Sequence, residues 1–171
     1  MAILEIVQAG HPVLRELARP LSPEEVASKE LARLIDDMRE TMRAAPGVGL
    51  AAPQIGIGVQ LAVIEDPATV PDDDARARDR DKVPFHVIIN PRLTIEEGEP
   101  AVFFEGCLSV DGWCAKVARA RCVRVDALDE HGRPVTIRAR GWYARILQHE
   151  IDHLNGMLYI DRMDTRTFQA V

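Results

Sequence analysis

The chain has 171 residues, of which 47% are hydrophobic and 28% charged, and its formal net charge is −6. This composition is typical of one globular domain and excludes a disordered or fibrous protein. The acidic balance argues against general nucleic-acid binding, and no apolar run approaches the roughly 20 residues that span a bilayer. The first residues have no basic segment followed by an apolar core, so we expect a cytoplasmic protein with its three cysteines reduced.

The first predicted element is an N-terminal amphipathic helix. Ser22 is a candidate N-cap, Pro23 suits the first helical position, and Glu25 completes a capping box. Apolar residues then recur at three- and four-residue spacing and form one stripe: Leu31, Leu34, Ile35, Met38 and Met42. The pattern predicts one continuous helix that ends before residues 46–47, Pro-Gly.

Short strands and a second helix follow. Alternating apolar residues predict strands over 60–64, 86–90, 101–104, 122–128 and 135–139, with a hairpin turn at 130–132. A final helix is expected over 142–155, with Gly156 as its left-handed C-cap. These elements predict a single α+β catalytic domain over 1–171, with mixed short antiparallel strands around a central C-terminal helix.

One segment, 66–82, departs from the rest in composition. It contains three consecutive aspartates (Asp72, Asp73 and Asp74), two prolines and alternating arginine and aspartate. Such a stretch cannot bury much apolar surface, so we expect a mobile surface loop.

The predicted C-terminal helix carries the strongest chemical motif, HEIDH at 149–153. Residues four apart share a helix face, so His149 and His153 can present imidazole nitrogens to one cation. Glu150 is placed to touch a metal-bound water without being a ligand. Apolar neighbours such as Ile146 and Ile151 favour a partly buried metal site over two surface histidines.

A catalytic metal usually takes three protein ligands and keeps one position open for water. No histidine, cysteine or glutamate follows His153, so the third donor is expected upstream. Spacing alone leaves several candidates open: His11, His86, His131, the three cysteines or a carboxylate. Among them, Cys107 follows an apolar strand and a glycine, which is a suitable place to turn a thiolate toward a metal.

The glycine-rich stretch GVGLAAPQIG, 47–56, superficially fits a dinucleotide-binding fingerprint. That fingerprint must follow a strand and open a helix, whereas this one follows a predicted helix and Pro53 interrupts what comes after it. We therefore interpret it as a loop that lets the backbone approach a substrate closely, with Gln54 offering its side-chain amide, or else as a plain connector.

Taken together, three motifs resemble one family. GVGLAAPQIG (47–56), EGCLS (105–109) and QHEIDH (148–153) stand in the order and approximate spacing of peptide deformylase. The resemblance covers nearly the whole chain, from Ile3 to about Phe168, and its ending looks like the organelle-type branch of that family.

The resemblance implies an enzyme that removes the N-formyl group from the initiator methionine of nascent polypeptides at the ribosome and releases formate. It makes Cys107, His149 and His153 the metal ligands, with metal-bound water as nucleophile and Glu150 as general acid/base. Gln54 and the backbone N–H of Leu108 would bind the substrate oxyanion. Iron(II) is the expected metal, and zinc, nickel or cobalt suit the same donors.

Motif alignment also implies a pocket for the methionine side chain. Its predicted lining includes the ring of His149 and six further residues: Val48, Phe103, Glu105, Trp142, Arg145 and Ile146. Gly49 and Gly106 are also expected to bind the substrate.

The chain departs from the family pattern at two positions and at its end. Asp111 stands where proline is usual, Cys114 stands where many bacterial members carry a peptide-binding arginine, and no long basic C-terminal helix follows. Two other functions share parts of the pattern. A zincin-type endopeptidase shares HExxH but needs a longer cleft, and a non-catalytic metal-stabilised module needs four protein ligands.

Overall fold

The computed structural model describes residues 1–171 and has a mixed α+β architecture with antiparallel sheets, as predicted. The four helices are α1 (Pro23–Val26), α2 (Lys29–Ala44), α3 (Asp72–Ala77) and α4 (Gly141–Leu154). The eight strands are β1 (Gly49–Ala51), β2 (Leu61–Asp66), β3 (Val83–Ile95), β4 (Ala101–Cys107), β5 (Val110–Arg119), β6 (Cys122–Leu128), β7 (Pro134–Arg140) and β8 (Gln169–Ala170). No helix is both long and apolar enough to span a bilayer.

The strands form two sheets, in the orders β1-β2-β3-β6-β7 and β4-β5-β8. Strand β3 serves two partners in succession: its first half pairs with β2 and its second half with β6. The change of partner falls near Asn90, which has a φ of 50° and whose side chain bonds both backbone groups of Leu21 at 2.9 Å. A long, bent strand therefore joins the two halves of the larger sheet.

Helix α4 packs against the larger sheet, and its apolar side chains join the larger of the two main apolar cores. Helix α2 buries its stripe in the other core together with β2 and the start of β3. Glycine at position 156 has a φ of 74°, which confirms the left-handed conformation expected after α4. Because α4 lies beneath the sheet, most of its side chains are buried, including the acidic Glu150 and Asp152.

The single N-terminal helix predicted from Ser22 is wrong, because the chain forms two helices there. Ser22 and Glu25 do make the expected capping box, but α1 ends at Val26. Ser28 then starts α2: its hydroxyl oxygen accepts from the N–H of Leu31 while its O–H donates to the carbonyl of Glu25. A second N-cap serine inside an apparently continuous apolar pattern thus divides the helix.

The strand prediction found five strands and missed three. It missed β1, whose sequence is glycine-rich, β5, which begins Val-Asp-Gly, and the two-residue β8. It also made β3 too short, since that strand runs from Val83 to Ile95 and contains two prolines.

The predicted loop 66–82 contains the short helix α3, and arginines anchor the end of the segment. Arg80 makes two hydrogen bonds of 2.8 and 2.9 Å to the buried Asp66. Arg140 makes two bonds to Asp79, and the backbone N–H of Trp142 donates to the Asp79 carbonyl. The end of this segment is thereby fixed against the start of α4.

Candidate metal centre

Three potential metal donors converge where the end of β4 meets α4. Cys107 is the last residue of β4, and His149 and His153 lie one helical turn apart on α4. Their donor atoms all lie within 4.8 Å of one another, and Cys107 Sγ is 3.4 Å from His153 Nε2. No other group of three or more histidine, cysteine or acidic side chains in the chain converges in this way.

A buried glutamate orients His149. Its Nδ1 lies 2.6 Å from Glu105 Oε1, so the ring donates N–H to the carboxylate and turns Nε2 toward Cys107 and His153. Such a carboxylate behind a ligating histidine fixes its tautomer. Burial alone would raise the pKa of Glu105, but His149 and Arg119 outweigh it and hold that pKa well below its usual range. Burial lowers the pKa of His149, yet its bonds to Cys107 and Glu105 leave it well above normal.

Glu105 and Asp152 belong to a buried ionic network behind the site. Arg119, with a side chain only 3% exposed, binds both Glu105 oxygens at 2.7 and 3.2 Å and Asp152 Oδ2 at 2.6 Å. Arg145 adds a bond of 2.7 Å to Glu105, and Arg162 binds both Asp152 oxygens. Because each buried carboxylate has at least two cationic partners, the network fixes β4, β5 and α4 relative to one another.

Glu150 is buried beside the three donors without a hydrogen-bond partner for its Oε2 atom. Burial raises its pKa to about 7. Gly49 of β1 leaves the space that the carboxylate occupies: a Cβ at that position would lie 2.6 Å from Glu150 Cδ. An unpartnered buried carboxylate is costly, which makes Glu150 a candidate for a chemical role.

Gln54 lies in a 3-10 turn over Ala52–Ile55 and faces the same site. Its Oε1 accepts from the N–H of Ala51, which leaves Nε2 to donate to Ser109 Oγ at 3.2 Å and toward Cys107 Sγ at 3.6 Å. Leu108 lies against the glycine stretch, since a Cβ on Gly47 would be 2.8 Å from its Cδ1 atom. The glycine-rich segment therefore brings backbone close to the site.

A cleft of about 640 Å³ opens over these residues. Seven of the eight residues predicted to bind the substrate line it: Val48, Gly49, Glu105, Gly106, Trp142, Arg145 and Ile146. Phe103 does not line this cleft directly: its ring makes a T-shaped contact with Trp142 and lines an adjoining smaller cavity. Arg145 lines the cleft, and its guanidinium is bonded to Glu105 and to two backbone carbonyls.

The other histidines considered as metal ligands lie elsewhere. His11 caps a 3-10 turn by accepting from the N–H of Val13 at 3.2 Å. His86 is bonded to the Tyr143 hydroxyl and the Pro84 carbonyl, and His131 is exposed in the β6–β7 turn.

Several site residues were missed by sequence reasoning. Arg119 and Arg162 do not belong to any local motif. Asp152 lies inside QHEIDH, but the sequence did not indicate its ion-pair partners. Trp113, four residues after EGCLS, and Arg78, far from all three motifs in sequence, also line the cleft. The β4–β5 hairpin places Trp113 at the cleft, and the 66–82 segment places Arg78 there.

Comparison with known proteins gives a consistent result. The family model for polypeptide deformylase matches residues 3–169. Peptide deformylase 3 of Streptomyces avermitilis is 53% identical over 98% of this chain and 74% of its own length. The chloroplastic peptide deformylase 1A of Solanum lycopersicum is 48% identical over 99% of this chain and 63% of its own. The Met-Ala-Ser-bound class I type b peptide deformylase of Acinetobacter baumannii superposes with a TM-score of 0.86, at 36% identity, over 95% of this chain and 99% of its own.

Proposed function

This chain belongs to the polypeptide deformylase family, and on that premise we propose that Cys107, His149 and His153 hold its single metal ion while Glu150 moves protons. The chain is a metal-dependent hydrolase that removes the N-formyl group from formylated nascent polypeptides and releases formate. Such substrates begin with formylmethionine, so we infer that they are met at the ribosome. The convergence of the three donor atoms within 4.8 Å, beside an unpartnered glutamate, is the observation that carries the assignment.

The donor set fits a catalytic metal better than a structural one. Three protein donors converge, which leaves one position of a tetrahedral site open, whereas a closed structural site needs four. A thiolate with two imidazoles is a borderline-soft set that suits iron(II), zinc, nickel or cobalt, and we propose iron(II) as the native metal. The metal-stabilised binding module is correspondingly disfavoured.

When bound, a divalent ion supplies Lewis acidity that lowers the pKa of coordinated water toward roughly 7. Glu150 is proposed to transfer a proton in two steps, first from the attacking water and then to the leaving amine. Its unpartnered carboxylate oxygen accepts a proton from the attacking water and later delivers it to the amine nitrogen as the formyl C–N bond breaks. The water oxygen ends in formate, and the free amine leaves with the polypeptide.

Gln54 and Leu108 are proposed to stabilise the charge that develops on the formyl oxygen. Gln54 Nε2 already points toward Cys107, and its other amide atom is held by Ala51. Because that amide is preorganised, it needs little rearrangement to donate to an oxyanion, and each such donor contributes about 3 kcal/mol.

The methionine side chain is proposed to enter the cleft between β4 and α4. This part of the cleft has an apolar wall formed by Trp142, Ile146 and Val48. We also propose that the whole chain acts as one catalytic domain. The guanidinium of Arg145 is occupied by Glu105, so Arg145 contributes only its apolar stem to the pocket.

Formate release from formyl-Met-Ala tests the proposal. Wild-type protein should release formate, lose this activity after metal removal by a chelator, and recover it when metal is returned. Glu150→Gln should retain the metal but turn over about 10²–10⁴ times more slowly, whereas the exposed control Glu130→Gln should match wild type. Full activity without metal, or cleavage of internal peptide bonds in place of formate release, would contradict it and favour an endopeptidase.

A further inference from the structure

The smaller cavity that adjoins the cleft is lined by four arginines and a single carboxylate. It has a volume of about 180 Å³ and lies between the 66–82 segment, the turn that joins β5 to β6, and the first residues of α4. Its charged side chains are Arg78, Arg121, Arg140, Arg145 and Asp79. Because the whole chain has a formal net charge of −6, this local excess of positive charge does not reflect the overall composition.

Two of the four arginines are neutralised by carboxylates. Arg140 makes two hydrogen bonds, of 3.0 and 3.1 Å, to Asp79, the only acidic residue that lines the cavity. Arg145 makes a hydrogen bond of 2.7 Å to the buried Glu105. The cavity therefore retains the positive charges of the other two arginines.

Arg78 and Arg121 have no carboxylate partner. The Arg78 guanidinium makes no hydrogen bond and lies over Trp142, 4.8 Å from the ring centroid. Arg121 uses only its Nε, which donates to the Glu99 carbonyl at 3.0 Å, so its two terminal nitrogens make no hydrogen bond within the chain. Each of these guanidiniums therefore offers forked N–H donors of the kind that bind phosphate oxygens.

The positive charges around the cavity are close enough to repel one another. Arg78 and Arg145 share two aromatic neighbours: their Cζ atoms lie 6.0 and 5.5 Å from the Phe103 ring centroid, and 4.8 and 5.5 Å from that of Trp142. Burial lowers the pKa of Arg145, and the positive charges of Arg119 and Arg78 lower it further, against the opposing effect of Glu105. An anion among these groups would relieve the repulsion.

The start of α4 adds to the positive potential of the cavity. Arg140, Gly141 and Trp142 all line it, and no side chain caps this end of the helix. The amino end of a 14-residue helix carries a partial positive charge that favours anions. A Cβ at Gly141 would collide with the Asp79 carbonyl, so the glycine lets the 66–82 segment approach closely and close this side of the cavity.

We propose that this cavity binds a phosphate group, either as inorganic phosphate or as the end of a small phosphomonoester. Two guanidiniums without carboxylate partners, Arg78 and Arg121, match the double charge of phosphate better than the single charge of a carboxylate. Arg78 and Trp142 also line the cleft over the metal centre, so a bound phosphate would hold the wall that the cavity and the cleft share. This binding does not depend on the deformylase reaction and is measured without substrate.

Titration of the metal-loaded protein with sodium phosphate tests the proposal, at constant ionic strength and about pH 8, where phosphate is doubly charged. Calorimetry should show saturable binding of one phosphate per chain, and sodium acetate should bind at least about tenfold more weakly. Arg78→Gln and Arg121→Gln should each weaken phosphate binding about tenfold or more, as expected for the loss of a charge-assisted hydrogen bond.

Two further titrations locate the phosphate and identify its source. In a Trp113→Phe background, which leaves Trp142 as the only tryptophan, phosphate should change the fluorescence with the same midpoint as in calorimetry. Glycerol phosphate replaces inorganic phosphate in a parallel titration. Tighter binding of glycerol phosphate would identify a phosphomonoester as the ligand, and tighter binding of inorganic phosphate would identify the free ion.

Arg76→Gln and Arg133→Gln are the matched controls. Each removes one positive charge from an exposed arginine outside the cavity, and both variants should keep the wild-type affinity for phosphate. Absence of saturable binding in the wild type, or equal affinities in the wild type, Arg78→Gln and Arg121→Gln, would overturn the proposal. Binding that a chelator abolishes, and that these two variants leave unchanged, would place the phosphate on the metal ion and would also overturn it.

Discussion

Replacing Gly49 with alanine tests whether the position of Glu150 controls turnover. The added Cβ would lie 2.6 Å from Glu150 Cδ and 2.9 Å from its Cγ, and it would overlap Oε1. Contacts this short cannot be relieved at the backbone of β1, which is paired with β2 through Gly49 and Ile64. The glutamate side chain must therefore leave its present rotamer.

The magnitude follows from that displacement. An off-rotamer side chain costs about 0.5–1.5 kcal/mol, and overpacking a buried site costs about 1–3 kcal/mol in stability. Misplacing a catalytic group by roughly 1 Å can cost about 10²-fold in rate. We therefore expect Gly49→Ala to lower kcat/KM about 10²-fold, with full metal content and a small loss in the free energy of unfolding.

The assay is formate release from formyl-Met-Ala, with metal content measured by elemental analysis. Gly58→Ala is the control, because a Cβ there would meet only Val13 at 3.9 Å. In the Glu150→Gln background, Gly49→Ala should cost little further activity, since the proton transfer is already lost. Wild-type turnover in Gly49→Ala would refute the reasoning. So would a further loss of activity in the double variant as large as the loss that Gly49→Ala causes alone.

Three further predictions concern the surrounding structure. Arg119→Met removes the cation shared by the buried carboxylates Glu105 and Asp152. It should lower the free energy of unfolding by about 3 kcal/mol, the low end for a broken buried pair, because Arg145 and Arg162 still bind these carboxylates. A loss below about 1 kcal/mol in urea unfolding would contradict this prediction. Burial lowers the pKa of His86 below its usual 6.5, so the unfolded chain is protonated first and this residue reduces stability as pH falls through 6.5. His86→Gln should flatten the pH–stability profile as pH falls through 6.5, whereas the exposed control His131→Gln should not. Identical profiles for His86→Gln and the wild type would show that His86 is not the cause. Formyl-Met peptides should exceed formyl-Ala peptides in kcat/KM by at least about tenfold, because the methionine side chain is buried in the pocket. Trp142→Ala should reduce this ratio while the metal stays bound. Equal kcat/KM values for the two peptides in the wild type would contradict the assignment of the methionine pocket.

The features that local sequence encodes were predictable. The spacing of His149 and His153 follows from helical periodicity, and the composition and strand patterns indicated an α+β fold. Ser22 and Glu25 were correctly identified as a capping box, yet the same kind of signal at Ser28 was hidden within the apolar stripe of α2.

Features that depend on long-range pairing were not predictable from one sequence. Arg119 meets Asp152 across 33 residues, and Trp113 meets Phe168 only because β8 adds to β5. The position of Phe103 also depends on tertiary packing, because membership of a motif-flanking strand does not determine which cavity a side chain lines. The third ligand could be chosen only through family resemblance, because spacing left His11, His86 and His131 open.

The central claim is that Cys107 completes the metal site, and the metal content of Cys107→Ala tests it most directly. Cys122→Ala is the matched control, since it is another half-buried free cysteine that lies outside the donor cluster. Elemental analysis of proteins purified side by side should find about one metal ion per chain in the wild type and in Cys122→Ala, and loss of most of it in Cys107→Ala. Unchanged metal content in Cys107→Ala would contradict the account and place the third ligand elsewhere.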